Sequence, residues 1–156
     1  MCPKITGVLS FFTAVALIAP ALSTLGKPNS INANATFFKN GADAECTMSF
    51  NYNDAKATLK STLLENTPTQ AIFTFETAVV KMNTKFHEPS TVTIIKNNTE
   101  KTIDFNYKTI GYNYETEHFN QLLREGKKES TIMTFDFSKT LIKTLDEVRA
   151  LIGLEY

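Results

Sequence analysis

Hydrophobic and polar side chains alternate through much of the middle of this chain. Over residues 45–52, Cys46, Met48, Phe50 and Tyr52 fall on one parity and Thr47, Ser49 and Asn51 on the other. A period of two predicts a strand with one covered face. Residues 31–38 follow the same rule, with Ile31, Ala33, Ala35 and Phe37 together. Residues 57–64 repeat it, with Ala57, Leu59, Ser61 and Leu63 set against Thr58, Lys60 and Thr62. Asn53-Asp54 separates the last two runs, as in a hairpin. Shorter strands are predicted at 71–75, 79–82, 91–96 and 101–105, punctuated by Thr67-Pro68-Thr69, His87-Glu88-Pro89-Ser90 and Asn97-Asn98-Thr99. These runs are rich in Thr, Val, Ile and Phe, which suit a pleated surface.

Helical periods frame this sheet. Residues 8–25 read as a first helix with little polar face, because Phe11, Phe12, Val15, Ala16 and Ile18 cluster there. Pro20 is expected to kink or end it. Residues 115–124 are expected to present Phe119, Leu122 and Leu123 to the core, with Gly126 at the C-terminal cap. Over residues 136–151, Phe137, Leu141, Leu145, Val148 and Ile152 recur with a helical period, and Gly153 stops the helix. The prediction is one α+β domain over residues 1–156. It has an open, mostly antiparallel sheet of about six to seven strands, with helices packed on one face.

Charge narrows the functional classes. Sixteen basic and sixteen acidic residues balance. Nucleic-acid partners are excluded by the lack of a basic footprint. Two cysteines, Cys2 and Cys46, are too few for a disulfide scaffold; Cys46 reads as a buried structural thiol. The apolar run after Lys4 is too short and too interrupted to span a membrane. A cytoplasmic protein is expected. The alternative is a secreted one, if residues 1–22 act as a signal peptide with small residues at Ala19-Pro20-Ala21 or Ala21-Leu22-Ser23. Asn34-Ala35-Thr36 and Asn97-Asn98-Thr99 match the glycosylation pattern and matter only in that case.

Candidate chemistry is sparse. No two of the six glycines lie closer than 15 residues, so no dinucleotide fingerprint or phosphate loop exists. No Cys-x-x-Cys, His-Glu-x-x-His or Gly-x-Ser-x-Gly motif is present. No metal site is expected. Glu115 and His118 are the weak catalytic candidates: three apart on a helix, they can share a face. Lys127, Lys128, Glu129 and Ser130 form a polar loop that reads as solvated or anion-holding. Tyr112 and Tyr114 read as packing residues or the lining of a groove, and with Phe105 and Tyr107 they belong to core or interface.

The C-terminal third carries a resemblance. Its run is Gly111-x-x-Tyr114-Glu115, His118-Phe119, Gly126-Lys127-Lys128-Glu129-Ser130, Met133, Asp136-Phe137-Ser138, Leu145-Asp146-Glu147-Val148-Arg149 and Gly153-Leu154-x-Tyr156. This order resembles the C-terminal domain of the glucose–fructose oxidoreductase, inositol dehydrogenase and rhizopine-catabolism (Gfo/Idh/MocA) family. Gly26-Lys27-Pro28, Gly41-Ala42-Asp43 and Phe50-Asn51-Tyr52 extend the similarity over residues 5–156. The resemblance implies NAD(P) for full-length relatives, held with a catalytic lysine by a Rossmann domain that this sequence does not contain. It also implies an aspartate, a glycine and a histidine or tyrosine at alternate positions opening the first helix. Gly7 matches the glycine, but Ile5 and Leu9 stand at the other two. The family's glycines are also missing from Phe75-Glu76-Thr77-Ala78.

The expected function is that of an oxidoreductase C-terminal domain, inactive alone and binding no cofactor by itself. It would act as scaffold or oligomerisation unit, with homo-oligomers formed through the sheet face and a separate cofactor-binding domain as partner. The alternative is a secreted or periplasmic module binding a small ligand or protein. A small enzyme built on Glu115 and His118 is the third reading.

Overall fold

The computed structural model describes residues 3–10, 14–88 and 90–154. Eight strands and three helices follow in order: β1 (Lys4–Ser10), α1 (Ala14–Leu25), β2 (Ser30–Phe37), β3 (Asp43–Asn51), β4 (Lys56–Thr62), β5 (Gln70–Thr74), β6 (Val79–Met82), β7 (Val92–Lys96), β8 (Thr99–Ile103), α2 (Tyr112–Arg124) and α3 (Phe135–Ile152). The strands form one open sheet in the order β2-β3-β4-β1-β5-β6-β7-β8. Every neighbouring pair is antiparallel except β1 with β4. The α+β class and the open, mostly antiparallel sheet with helices on one face are as the alternation predicted.

The seven expected strands form within two residues of their predicted ends. The eighth, β1, departs from the expectation of a helix beginning at residue 8. Residues 4–10 are a strand, the helix begins at Ala14, and the predicted helix positions Phe11 and Phe12 lie outside the described residues. The parallel β1–β4 pair explains the departure. The backbone of β1 is paired with β4 on one side and β5 on the other, long-range contacts that no local pattern within residues 4–10 reports.

One face of the sheet carries the core. Ile31, Cys46, Met48, Phe50, Ala57, Leu59, Ala71 and Phe73 are buried there under Leu17, Ile18, Ala21 and Leu22 of α1 and Leu141 and Val148 of α3. The register sets Ile31, Phe50 and Ala57 side by side across β2, β3 and β4. Helix α1 packs against β1, β4 and α3, while α3 lies against β2. That burial on both sides of Pro20 lets α1 continue to Leu25 instead of ending, although proline removes one helical N–H bond. Phe37 leaves the predicted parity because the register shifts between Thr36 and Phe37; it pairs with Asp43 and is exposed. Leu63, expected on the covered parity of the return strand, lies past the end of β4 and is exposed.

The buried cysteine is explained by the same layer. Desolvation first, and the Asp43 carboxylate second, push the Cys46 thiol up to about 11, so at neutral pH it is a protonated, inert core group. Tyr52 follows β3, and its hydroxyl donates to the Gly26 carbonyl at 3.1 Å, which ties the α1–β2 turn to the sheet. The β7–β8 hairpin turns through Asn97 and Asn98 at φ 50° and 59°, the doubly left-handed turn that matches strand twist.

Both later helices end in the same way. Gly126 has φ 65°; its N–H donates to Leu123 and that of Lys127 to Leu122, closing α2 in a Schellman motif. Gly153 at φ 70° does the same for α3, with Leu154 N–H donating to Arg149. The first turn of α3 is capped by Thr134, whose hydroxyl accepts from Phe137 N–H at 3.1 Å.

Candidate functional site

Helix α2 and the loop that leads to α3 hold the residues singled out for chemistry. His118 Nε2 lies 2.8 Å from Ser130 Oγ. The same hydroxyl oxygen accepts from Ile132 N–H at 3.0 Å and Met133 N–H at 2.9 Å. Ser130 Oγ thus joins the His118 ring to the backbone of the loop that leads into α3. A serine–histidine pair of this kind is arranged as a clasp. The two backbone N–H groups that might have stabilised an oxyanion point at the hydroxyl itself.

Glu115 is exposed nearly one turn before His118, which turns to Ser130 instead. The shared face allowed by their spacing is therefore not used for a contact between them. Among the described residues no group of three His, Cys, Asp or Glu is placed to hold a metal ion. His87 sits in a turn with Nε2 3.7 Å from Glu88 and its ring edge-on to Phe86.

The polar loop is occupied by its own groups. Lys127 pairs with Glu125 at 2.7 Å, and Gln121 donates to the same carboxylate at 2.8 Å. Lys127 first and Gln121 second hold the Glu125 carboxyl below its ordinary value. Glu129 accepts the N–H of Phe135 at the start of α3, where the helix dipole favours negative charge. An incoming anion would find that helix end already filled by a carboxylate. The sequence signal for this arrangement was a serine followed by free backbone N–H groups two and three residues on, a recurrent turn motif.

The tyrosines lie outside the core. Tyr114 meets Tyr107 edge-on with ring centroids 5.7 Å apart, and Tyr107 leans on Phe105 at 5.9 Å, yet all three rings are exposed. Tyr112 is also exposed. Helix α2 buries no residue: Phe119 and Leu123, expected in the core, are each 60% exposed, and only Leu122 on that list is half-buried. The Phe119 and Leu123 stripe stays exposed, while Tyr114 meets Tyr107 and His118 turns to Ser130.

The positions matched to the family's first-helix motif also fall elsewhere. Ile5, Gly7 and Leu9 lie in β1, in register with Ala57, Leu59 and Ser61 of β4, and Ile5 and Gly7 also face Phe73 and Ala71 of β5. They belong to a central strand and precede the helix by four residues or more. The turn at Phe75-Glu76-Thr77-Ala78 forms without glycine, closed by Phe75 N–H donating to Ala78 at 2.8 Å.

The far face of the sheet is polar but closely filled. Lys60 bridges Glu45 at 2.9 Å and Glu65 at 2.8 Å, and the bonds from Lys60 and then Thr62 hold Glu45 below the ordinary carboxylate range. Asn83 donates to Thr91 at 2.8 Å and Thr93 at 2.9 Å, and Thr93 bonds Thr102 at 2.9 Å. Ile72, Val79 and Ile95 share this face and are half-buried.

This architecture occurs as one portion of larger oxidoreductases. The aldose–aldose oxidoreductase of Caulobacter crescentus superposes with a TM-score of 0.80 at 8% identity, over 96% of this chain and 53% of that one. The fold thus matches about half of that larger enzyme. In sequence, the chain is 29% identical over 140 residues to the NADP(+)-dependent scyllo-inositol 2-dehydrogenase IolU of Bacillus subtilis, covering 89% of this chain and 42% of that protein. It is 27% identical to the trans-1,2-dihydrobenzene-1,2-diol dehydrogenase of Xenopus tropicalis, over 83% of this chain and 42% of that protein. The chain spans less than half the length of these curated relatives. No protein-family model matches it.

Proposed function

We propose that this chain is the sheet-bearing C-terminal half of an NAD(P)-dependent sugar or polyol oxidoreductase, catalytically silent by itself and serving as scaffold and oligomerisation unit. The observation that carries this reading is the superposition of the whole eight-stranded architecture on about half of longer oxidoreductases. The chemistry of the described residues agrees with it. The His118–Ser130 pair is a structural clasp, and the glycine spacing leaves no cradle for a pyrophosphate. Cofactor binding and hydride transfer belong to a separate dinucleotide-binding domain, on this polypeptide or another.

Titrating the purified chain with NADP and NAD by calorimetry tests this assignment. No saturable heat is expected up to millimolar cofactor. A Kd on the order of 10 μM or tighter for either nucleotide would overturn it.

Self-association through the far sheet face is the second part of the proposal. The half-buried Ile72, Val79 and Ile95 among Thr and Asn side chains form a surface that a second copy can meet by a two-fold axis. Light scattering should give a mass at least twice 17.4 kDa; a constant monomer mass up to high concentration would remove this part. The chain is proposed to work in the cytoplasm, because residues 4–10 belong to the sheet and residues 14–22 to the first helix. No described helix is long and apolar enough to cross a membrane.

A further inference from the structure

Apolar side chains gather, uncovered, at the α2 end of the molecule. Tyr112, Phe119 and Leu123 are spaced by seven and four residues, which places them on one stripe of α2. The His118–Ser130 bond holds the following loop beside that helix; the loop exposes Ile132 at 78%, and Phe135 at the start of α3 is 65% exposed. Concentrated apolar exposure of this kind marks an interaction surface. A helix of 13 residues with nothing buried gains little stability from its own hydrogen bonds and is ordered chiefly by what packs on it.

The length of the relatives says what that cover is. The fold accounts for 53% of the Caulobacter chain and 42% of IolU, so in both proteins about half the polypeptide must attach to it. The far sheet face carries Lys60, Glu45 and a Thr and Asn network, whereas Tyr112, Phe119 and Leu123 of α2 present large exposed apolar side chains. Permanent interfaces resemble a core cut in two and are apolar. We infer that Tyr112, Phe119 and Leu123 of α2, with Ile132 and Phe135, form the seat of the dinucleotide-binding half. This inference rests on the function proposed above and assigns that partner its surface.

The test uses the free chain and a chimera in which this chain replaces the 140 matched residues of IolU. Hydrogen exchange of the α2 amides should be at least about 10-fold slower in the chimera than in the free chain. Phe119→Lys with Leu123→Lys should restore fast exchange in the chimera. Lysine keeps helix propensity, so lost contact is what this pair reports. Equal α2 exchange in a chimera that binds NADP would overturn the inference and leave the proposed function standing. Tight NADP binding by the free chain would do the reverse. Should the chimera fail to bind NADP, the free chain decides. There the double variant should leave mass and melting temperature unchanged, because the stripe is empty. A halved mass would identify a second copy as the occupant, and a lowered melting temperature would show that the chain covers the stripe itself; either overturns the inference.

Discussion

A chain lacking residues 1–22 should show no cooperative thermal transition. The deletion removes β1, which lies between β4 and β5 and bonds to both along its length. Two half-sheets would face each other across a gap one strand wide, with their inner edges unpaired. It also removes Leu17, Ile18 and Leu22 of α1, all buried against the sheet and α3. Burial of such side chains is worth about 1.5–3 kcal/mol each. Together with the lost strand pairing this is comparable with the whole net stability of a domain, about 5–15 kcal/mol. Circular dichroism during heating, with gel filtration of the same sample, checks the expectation. A truncated chain that melts cooperatively at the original size would refute it and return the signal-peptide reading, with its secreted binding module, to first place. Should the full chain prove to be secreted with residues 1–22 intact, the exposed Asn34 and the hairpin Asn97 would become sites to examine for glycans.

Replacing Phe50 with alanine should destabilise the domain by about 3–5 kcal/mol. The ring is completely buried, with Ile31 and Ala57 as its cross-strand neighbours and Met48 on the same face. Ala57 is too small to move into the vacated space, so a cavity remains. For a domain of this size the melting temperature should fall by roughly 10 °C. Urea unfolding should show a lower midpoint with an unchanged slope, because the exposed area on unfolding hardly alters. A loss below about 1 kcal/mol would mean that the layer under α1 and α3 collapses freely around the site. Phe119→Ala provides the contrast: the same truncation at a ring that touches little should leave the isolated chain near its original stability.

These two phenylalanines show how far the sequence could be read. Phe50 belongs to an alternation of period two, and the alternation alone assigns it to the covered face. Phe119 belongs to an equally clear helical stripe, yet that stripe is exposed. A period reports that one side of an element differs from the other. It does not report whether the partner for that side lies within the same chain. In β3 the partner is α1 and α3; in α2 His118 is held by Ser130 and the apolar stripe is left over.

The candidate site divides in the same way. Glu115 and His118 were legible as a pair that could share a helix face, because spacing alone decides that. Their separation in the structure follows from a contact 12 residues away, Ser130, which no local pattern predicts. Glu129 and Lys127 likewise looked available for an anion until the fold set one at the start of α3 and the other beside Glu125.

By itself, the sequence determined the element types of the middle and the end of the chain, the covered parity of β3 and of Ala57 and Leu59 in β4, the α+β class and the likeness to half of an oxidoreductase. Those features depend on interactions within a few residues or on the order of short motifs. Only the tertiary structure decided that residues 4–10 complete the sheet as a strand parallel to β4, that α1 passes through Pro20, and that α2 keeps its apolar stripe uncovered. Each of these depends on residues far apart in sequence, where burial outweighs local preference.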